Sequence, residues 1–160
     1  MDIGSGMGFI AVCLAHLAKT VIGLEHVKGL VTRATEVVNS HYGNLAQQGR
    51  HHNVVFFPED GRYGLDRLGP YDLILVEPMV RQHVPDVILR QLKPGGCVVA
   101  VVKTDARLAM FRITVNRQKQ TVYQTLIDDG AYLAAQHKDY LCDIRQQEMP
   151  FLNKFKSLQL

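Results

Sequence analysis

The chain has 160 residues, of which 47% are hydrophobic and 21% charged, enough for one compact domain spanning residues 1–160. A net charge of +3 is too small to indicate a nucleic-acid partner, which usually requires a clustered basic face. The apolar stretch at 9–18 is too short to span a membrane. Three cysteines, at 13, 97 and 142, lack metal-ligand spacing and indicate free thiols in a reducing compartment. We therefore expect a cytoplasmic globular protein without a metal site.

Apolar runs rich in β-branched residues alternate with stretches of helical period along the first two thirds of the chain. The predicted strands cover residues 20–25, 53–59, 71–77 and 97–103. The predicted helices cover 9–17, 27–38 and 85–92, the last ending sharply before Pro94-Gly95-Gly96. This order predicts an α/β fold with a doubly wound, mostly parallel sheet. Residues 111–116 and 121–127 predict an antiparallel hairpin at the sheet edge.

The segment Asp2-Ile3-Gly4-Ser5-Gly6-Met7-Gly8 carries the strongest local signal for a ligand. A strand end, closely spaced glycines and a helix start allow a ligand to approach backbone N–H groups. The alternative is a glycine-rich turn that only connects two elements. The dinucleotide fingerprint needs Gly or Ala three residues after the second glycine, where this chain has Phe9. The spacing is instead the one found in methyltransferases, which place a nucleoside sulfonium on the loop.

Two acidic positions are predicted to lie at the same edge of the sheet as the glycine loop. Glu25 ends the second strand, where a carboxylate accepts hydrogen bonds from ribose hydroxyls. Asp60-Gly61 follows the third strand and would lie on the adenine side of the crevice. The alternatives are a solvated carboxylate at a strand end and an ordinary Asp-Gly turn. The convergence of three features on one edge favours a cofactor site.

Six segments in this order resemble the protein-L-isoaspartate O-methyltransferase family. They are residues 2–9, 21–26, 30–31, 59–64, 70–74 and 84–96. The resemblance implies a Rossmann-like fold that binds S-adenosylmethionine, releases S-adenosylhomocysteine and methylates isoaspartyl residues of damaged proteins. It also implies that the cofactor site is lined by Asp2, Gly4, Ser5, Gly6, Glu25, His26, Asp60 and Gly61. No catalytic residue is assigned, because a carboxylate acceptor is already ionised at pH 7 and needs no general base.

Two segments depart from the family pattern. In the family a complete strand and a helical, substrate-contacting segment precede the glycine loop, whereas this chain starts at Met1, so we expect the first strand to be truncated. At residues 77–82, Glu-Pro-Met-Val-Arg-Gln replaces small residues. These side chains either alter or block the acceptor site, or Met79 and Val80 only pack beneath the next helix. The alternative function is therefore a protein that binds the nucleoside without transferring a methyl group. The oligomeric state stays open.

Overall fold

The structure is a computed structural model, and it describes residues 1–46 and 54–128, with the backbone alone for 41–46. In this part of the chain the strands are β1 (Asp2–Ile3), β2 (Val21–Leu24), β3 (Val54–Phe57), β4 (Tyr71–Arg81), β5 (Leu92–Lys103), β6 (Leu108–Val115) and β7 (Thr121–Ile127). The helices are α1 (Phe9–Ala15), α2 (Lys28–Ala46) and α3 (Asp86–Leu89). Two short 3-10 helices, Gly61–Tyr63 and Asp66–Leu68, lie between β3 and β4.

The strands form one seven-stranded sheet in the order β3-β2-β1-β4-β5-β6-β7. The first five of these pair in parallel, and β6 and β7 add an antiparallel hairpin. The predicted α/β class, its mostly parallel sheet and its C-terminal hairpin are therefore confirmed. The strand order reverses between β1 and β4, and ligands of doubly wound sheets bind at such a switch point, outside the carboxyl ends of the strands.

β1 is a two-residue strand at the centre of this sheet. Ile3 pairs with Leu24 on β2 and with Val76 on β4. The backbone of Met1 adds to the pairing, since its carbonyl accepts the N–H of Leu75 at 2.9 Å.

Buried side chains form two clusters on the sheet. The larger lies on β1, β2, β4, β5 and β6 and includes Ile3, Leu24 and Ile74, all below a tenth exposed. The smaller joins α1 and α2 to the other face through residues such as Ala11, Ala34 and Phe56. Alternate residues of a strand face opposite sides of the sheet. The strand ends that carry the predicted site are thus fixed by packing on both sides.

The boundaries around the third helix differ from the sequence prediction. The helix was predicted over 85–92, but α3 spans only Asp86–Leu89. β5 begins at Leu92 and includes Pro94-Gly95-Gly96, because Leu92 already pairs with Tyr71 before a register shift. β4 continues past residue 77 to Arg81. Residues 77–81 therefore belong to the sheet, and Val80 packs against the larger core cluster.

Candidate cofactor site

The glycine loop leaves β1 and turns immediately around the end of β2. The N–H groups of Gly4 and Ser5 donate to the carbonyl of Leu24 at 2.8 and 3.1 Å, and the N–H of Gly8 donates to Ser5 at 2.7 Å. Gly4, Gly6 and Gly8 have φ of +82°, +50° and +83°, a region that glycine adopts without steric cost. The sequence predicts loop amides facing a ligand, but these three donate within the protein.

Glu25 is held at the loop by two backbone hydrogen bonds. Its Oε2 accepts the N–H of Gly6 at 3.2 Å, and its Oε1 accepts the N–H of Val27 at 2.8 Å. The residue is only 7% exposed. His26 Nδ1 lies 3.2 Å from Oε1, with an exposed ring. The structure thus brings Glu25, His26 and Gly6 together, as predicted from their order in the sequence.

Asp60 begins the first 3-10 helix, and its side chain is engaged by Arg62. One oxygen accepts the N–H of Arg62 at 3.0 Å, and both oxygens accept hydrogen bonds from the guanidinium. These hydrogen bonds hold the pKa of Asp60 below its usual range. The sequence gives Asp60 a ligand-facing role, whereas its carboxylate here pairs with a neighbouring cation. Gly61 lies against β1, since a Cβ there would stand 2.3 Å from Ile3 Cγ2.

Asp2 on β1 and Glu77 on the neighbouring strand β4 form a carboxyl pair. Asp2 is fully buried, and burial raises its pKa to about 6. Burial and then the negative charge of Asp2 raise the pKa of Glu77 to about 8. At neutral pH the pair therefore retains a proton, because two buried neighbouring carboxyls cannot both ionise cheaply. The sequence motif identified Asp2 but not its partner.

One side of the loop is covered and the other is open. A Cβ on Gly4 would stand 2.6 Å from Pro78 Cδ, so the Pro78 ring packs directly on Gly4. A Cβ on Gly6 would meet only the Gly4 carbonyl oxygen, at 3.9 Å. Ser5 lies beneath the loop, since its Oγ would stand 2.8 Å from a Cβ on Gly23. The opening at Gly6, with Glu25 beside it, is where a flat polar ligand has room.

The carboxylates of Glu25 and Asp2 fit a nucleoside cofactor with positive charge. Glu25 offers a carboxylate at the opening, and the buried oxygens of Asp2 receive no hydrogen bond from an N–H or hydroxyl group within residues 1–46 and 54–128. The same part of the chain contains no cluster of three metal-ligating side chains. None of its helices is long and apolar enough to cross a membrane. His51, His52 and Cys142 lie outside the described residues.

The doubly wound sheet, the glycine loop after β1 and the acidic residue after β2 define a Rossmann-like domain of the kind that binds nucleosides. A family model described as protein-L-isoaspartate(D-aspartate) O-methyltransferase matches residues 1–139. The chain therefore belongs to this family.

Individual relatives agree with the family match. The chain is 31% identical to the Caenorhabditis elegans protein-L-isoaspartate O-methyltransferase over 117 residues, covering 71% of this chain and 50% of the relative. It is 39% identical to the Nitrosospira multiformis protein-L-isoaspartate O-methyltransferase 1 over 99 residues, covering 62% and 38%. The chain spans about half the length, or less, of these relatives.

Solved structures share the fold. A Plasmodium falciparum protein assigned as a protein-L-isoaspartate O-methyltransferase, crystallised with S-adenosyl-L-homocysteine, superimposes with a TM-score of 0.65. Its sequence is 24% identical, and the match covers 80% of this chain and 61% of that one. At this identity the likeness is evidence for the fold.

Proposed function

We propose that the chain binds S-adenosylmethionine and transfers its methyl group to the α-carboxylate of L-isoaspartyl residues in damaged proteins. The observation that carries the proposal is Glu25, a nearly buried carboxylate held against Gly6 by a 3.2 Å hydrogen bond. It stands beside the one position of the loop where a Cβ would meet almost nothing. Membership of the family supports the same cofactor and the same acceptor.

The residues assigned to the cofactor are Asp2, Gly4, Ser5, Gly6, Glu25, His26, Asp60 and Gly61. Glu25 would accept hydrogen bonds from the ribose hydroxyls, while the loop supplies a surface without side chains. Ser5 and Gly61 would act by packing, and Asp60 through its hydrogen-bonded turn. When bound, S-adenosylmethionine supplies an electrophilic methyl group on sulfur.

The chemistry asks little more of the protein. An acceptor carboxylate is ionised at pH 7, so the site needs to orient the two reactants and exclude water.

We also propose that residues 1–160 form one domain, because a single sheet connects both core clusters. Cys13 and Cys97 are free thiols, which supports the proposed location in the cytoplasm.

Calorimetric titration with S-adenosylhomocysteine tests the cofactor site. We expect one-to-one binding that weakens about 10–100-fold in Glu25→Ala, since each hydrogen bond to a charged group contributes roughly 1.5–3 kcal/mol. Glu36→Ala is the matched control, because Glu36 is an exposed carboxylate on α2 that pairs with Arg33. Equal affinities for both variants, with circular dichroism showing folded chains, would contradict the assignment of Glu25.

Methyl transfer is tested with a labelled S-adenosylmethionine and two peptides that differ only in an isoaspartyl or an aspartyl residue. The proposed function predicts label in the isoaspartyl peptide alone. Binding without transfer to either peptide would identify the alternative, a binding protein without activity. The packing of Pro78 on Gly4 is the observation that favours this second candidate.

A further inference from the structure

Three carboxyl groups lie side by side at the switch point of the sheet. Because Ile3 pairs with Leu24 and with Val76, the next residue, Gly4, is flanked by Glu25 and Glu77. Side chains two residues apart in a strand face the same side, so Asp2 lies on the same side as both glutamates. The negative charges of Asp2 and Glu25 both raise the pKa of Glu77, which agrees with this placement.

Three oxygens of the Asp2 and Glu77 carboxyls have no hydrogen-bond donor in the described part of the chain. Both oxygens of Asp2 and Oε1 of Glu77 are buried and receive no N–H or hydroxyl hydrogen bond in the described part of the chain. A buried carboxylate left in this state is costly unless a proton or a cation neutralises it. The surrounding charged groups are Glu25, the exposed ring of His26 and the Met1 ammonium, which donates to the carbonyl of Leu73 at 2.8 Å.

The two arginines of the nearby loop pair with carboxylates other than Asp2 and Glu77. Arg62 pairs with Asp60 and Arg67 pairs with Glu59. Asp2 is fully buried and Glu77 only partly, so a ligand would approach the pair from the side of Glu77. The proposed cofactor carries two compact cationic centres, the ammonium of its amino-acid part and the methylsulfonium.

We propose that Asp2 and Glu77 together bind a cationic centre of the nucleoside cofactor, whose charge replaces a proton that the two carboxyls share. This inference rests on the proposed function. On binding, one carboxyl O–H bond breaks and the proton passes to solvent, so the pair changes from one negative charge to two while the ligand contributes one positive charge. Glu77 is thereby a binding residue that belongs to the segment where this chain departs from its family.

Proton release on binding tests the inference. Calorimetric titrations with S-adenosylmethionine at pH 7, in buffers that differ in ionisation enthalpy, give the number of protons released. We expect about one proton for the unmodified chain and close to none for Glu77→Gln, because proton binding and ligand binding are linked. Affinity should rise with pH by up to about tenfold per unit in the unmodified chain and be flatter in the variant. Glu59→Gln, which changes an exposed carboxyl, should behave like the unmodified chain.

A parallel titration with S-adenosylhomocysteine, which has the ammonium but no sulfonium, identifies the cationic centre. Release with both ligands assigns the ammonium, and release with S-adenosylmethionine alone assigns the sulfonium. Equal proton numbers for the unmodified chain, Glu77→Gln and Asp2→Asn would overturn the inference while leaving the proposed function intact. No binding of either ligand by a folded chain would overturn the proposed function and, with it, this inference.

Discussion

At the scale of one residue, a substitution at Gly6 is expected to change stability and ligand binding for separate reasons. Its φ of +50° makes a side chain unfavourable, yet a Cβ would contact only an oxygen 3.9 Å away. We expect Gly6→Ala to lower the free energy of unfolding by about 1–2 kcal/mol and to weaken S-adenosylhomocysteine binding about tenfold or more, because the methyl group enters the opening. Thermal unfolding and calorimetry measure the two effects.

Gly29→Ala is the matched control for Gly6→Ala. Gly29 lies in α2 with nothing within 4 Å of a Cβ, so we expect a gain of about 0.5 kcal/mol from helix propensity. Binding should not change. If both variants bound S-adenosylhomocysteine equally well, the opening at Gly6 would not be the ligand site.

Single residues with a local sequence signature were predictable. The positions of Gly4, Gly6 and Glu25 follow from spacing within one βαβ unit, and the structure brings them together. The partners of Asp60 and Asp2 were not predicted, since a side-chain pair depends on loop conformation and strand register. One signal for Glu77 was available: the predicted strand order places the end of the fourth strand beside the end of the first.

Gln91, between α3 and β5, connects α3 to the segment that joins the two 3-10 helices. It is 3% exposed, its Nε2 donates to the carbonyls of Tyr63 at 2.8 Å and Val87 at 3.1 Å, and its Oε1 accepts the N–H of Leu65 at 2.9 Å. We expect Gln91→Leu to lower the free energy of unfolding by about 2–4 kcal/mol, because it leaves buried backbone groups without partners. Urea titration measures the change.

Gln118→Leu provides the comparison for Gln91→Leu. Gln118 is exposed in the turn between β6 and β7, so its replacement should change stability by no more than about 0.5 kcal/mol. A loss in Gln91→Leu no greater than in this control would show that the hydrogen bonds of Gln91 do not hold the segment that follows β3.

Element types were predictable but several boundaries were not. The sequence predicted that Pro94-Gly95-Gly96 ends a helix and that the strand 71–77 ends just before Pro78. In the structure β4 passes Pro78 at a register shift between Val76 and Val80 and then resumes pairing with β5. Prolines occur in sheets at such irregularities. The pairing partner, which lies far away in sequence, therefore decides where these strands end.

At the scale of the whole molecule, the doubly wound topology places the site before any side chain is considered. The strand order reverses beside β1, and two acidic residues, Glu25 just after β2 and Glu77 within β4, flank the residue that follows β1. The topology was predictable from the alternation of strands and helices. The concentration of negative charge was not, because it arises only when non-consecutive strands become neighbours.

That concentration of charge makes the stability of the unliganded chain dependent on pH. Carboxyls have pKa values near 4 when unfolded, whereas burial raises the pKa of Asp2 to about 6 and that of Glu77 to about 8 in the folded chain. Between these limits the folded state binds more protons than the unfolded state. The contribution of this pair to the free energy of unfolding is therefore expected to fall as the pH rises from about 4 through about 8.

Glu77→Gln should remove most of this decline. The amide cannot ionise, so the variant should be more stable than the unmodified chain by about 2 kcal/mol at pH 9, a discounted value because two carboxyls share the effect. Urea titrations at pH 5, 7 and 9 measure the difference. Arg62 and Lys93 lower the pKa values of Asp60 and Asp72. Their contributions to the stability of the fold are therefore lost only at acidic pH and do not affect the difference at pH 9. Parallel profiles for the two chains would mean that the carboxyl pair is not coupled to folding. A variant that is more stable alone yet binds the cofactor less well would instead show that the buried charge is retained for the ligand.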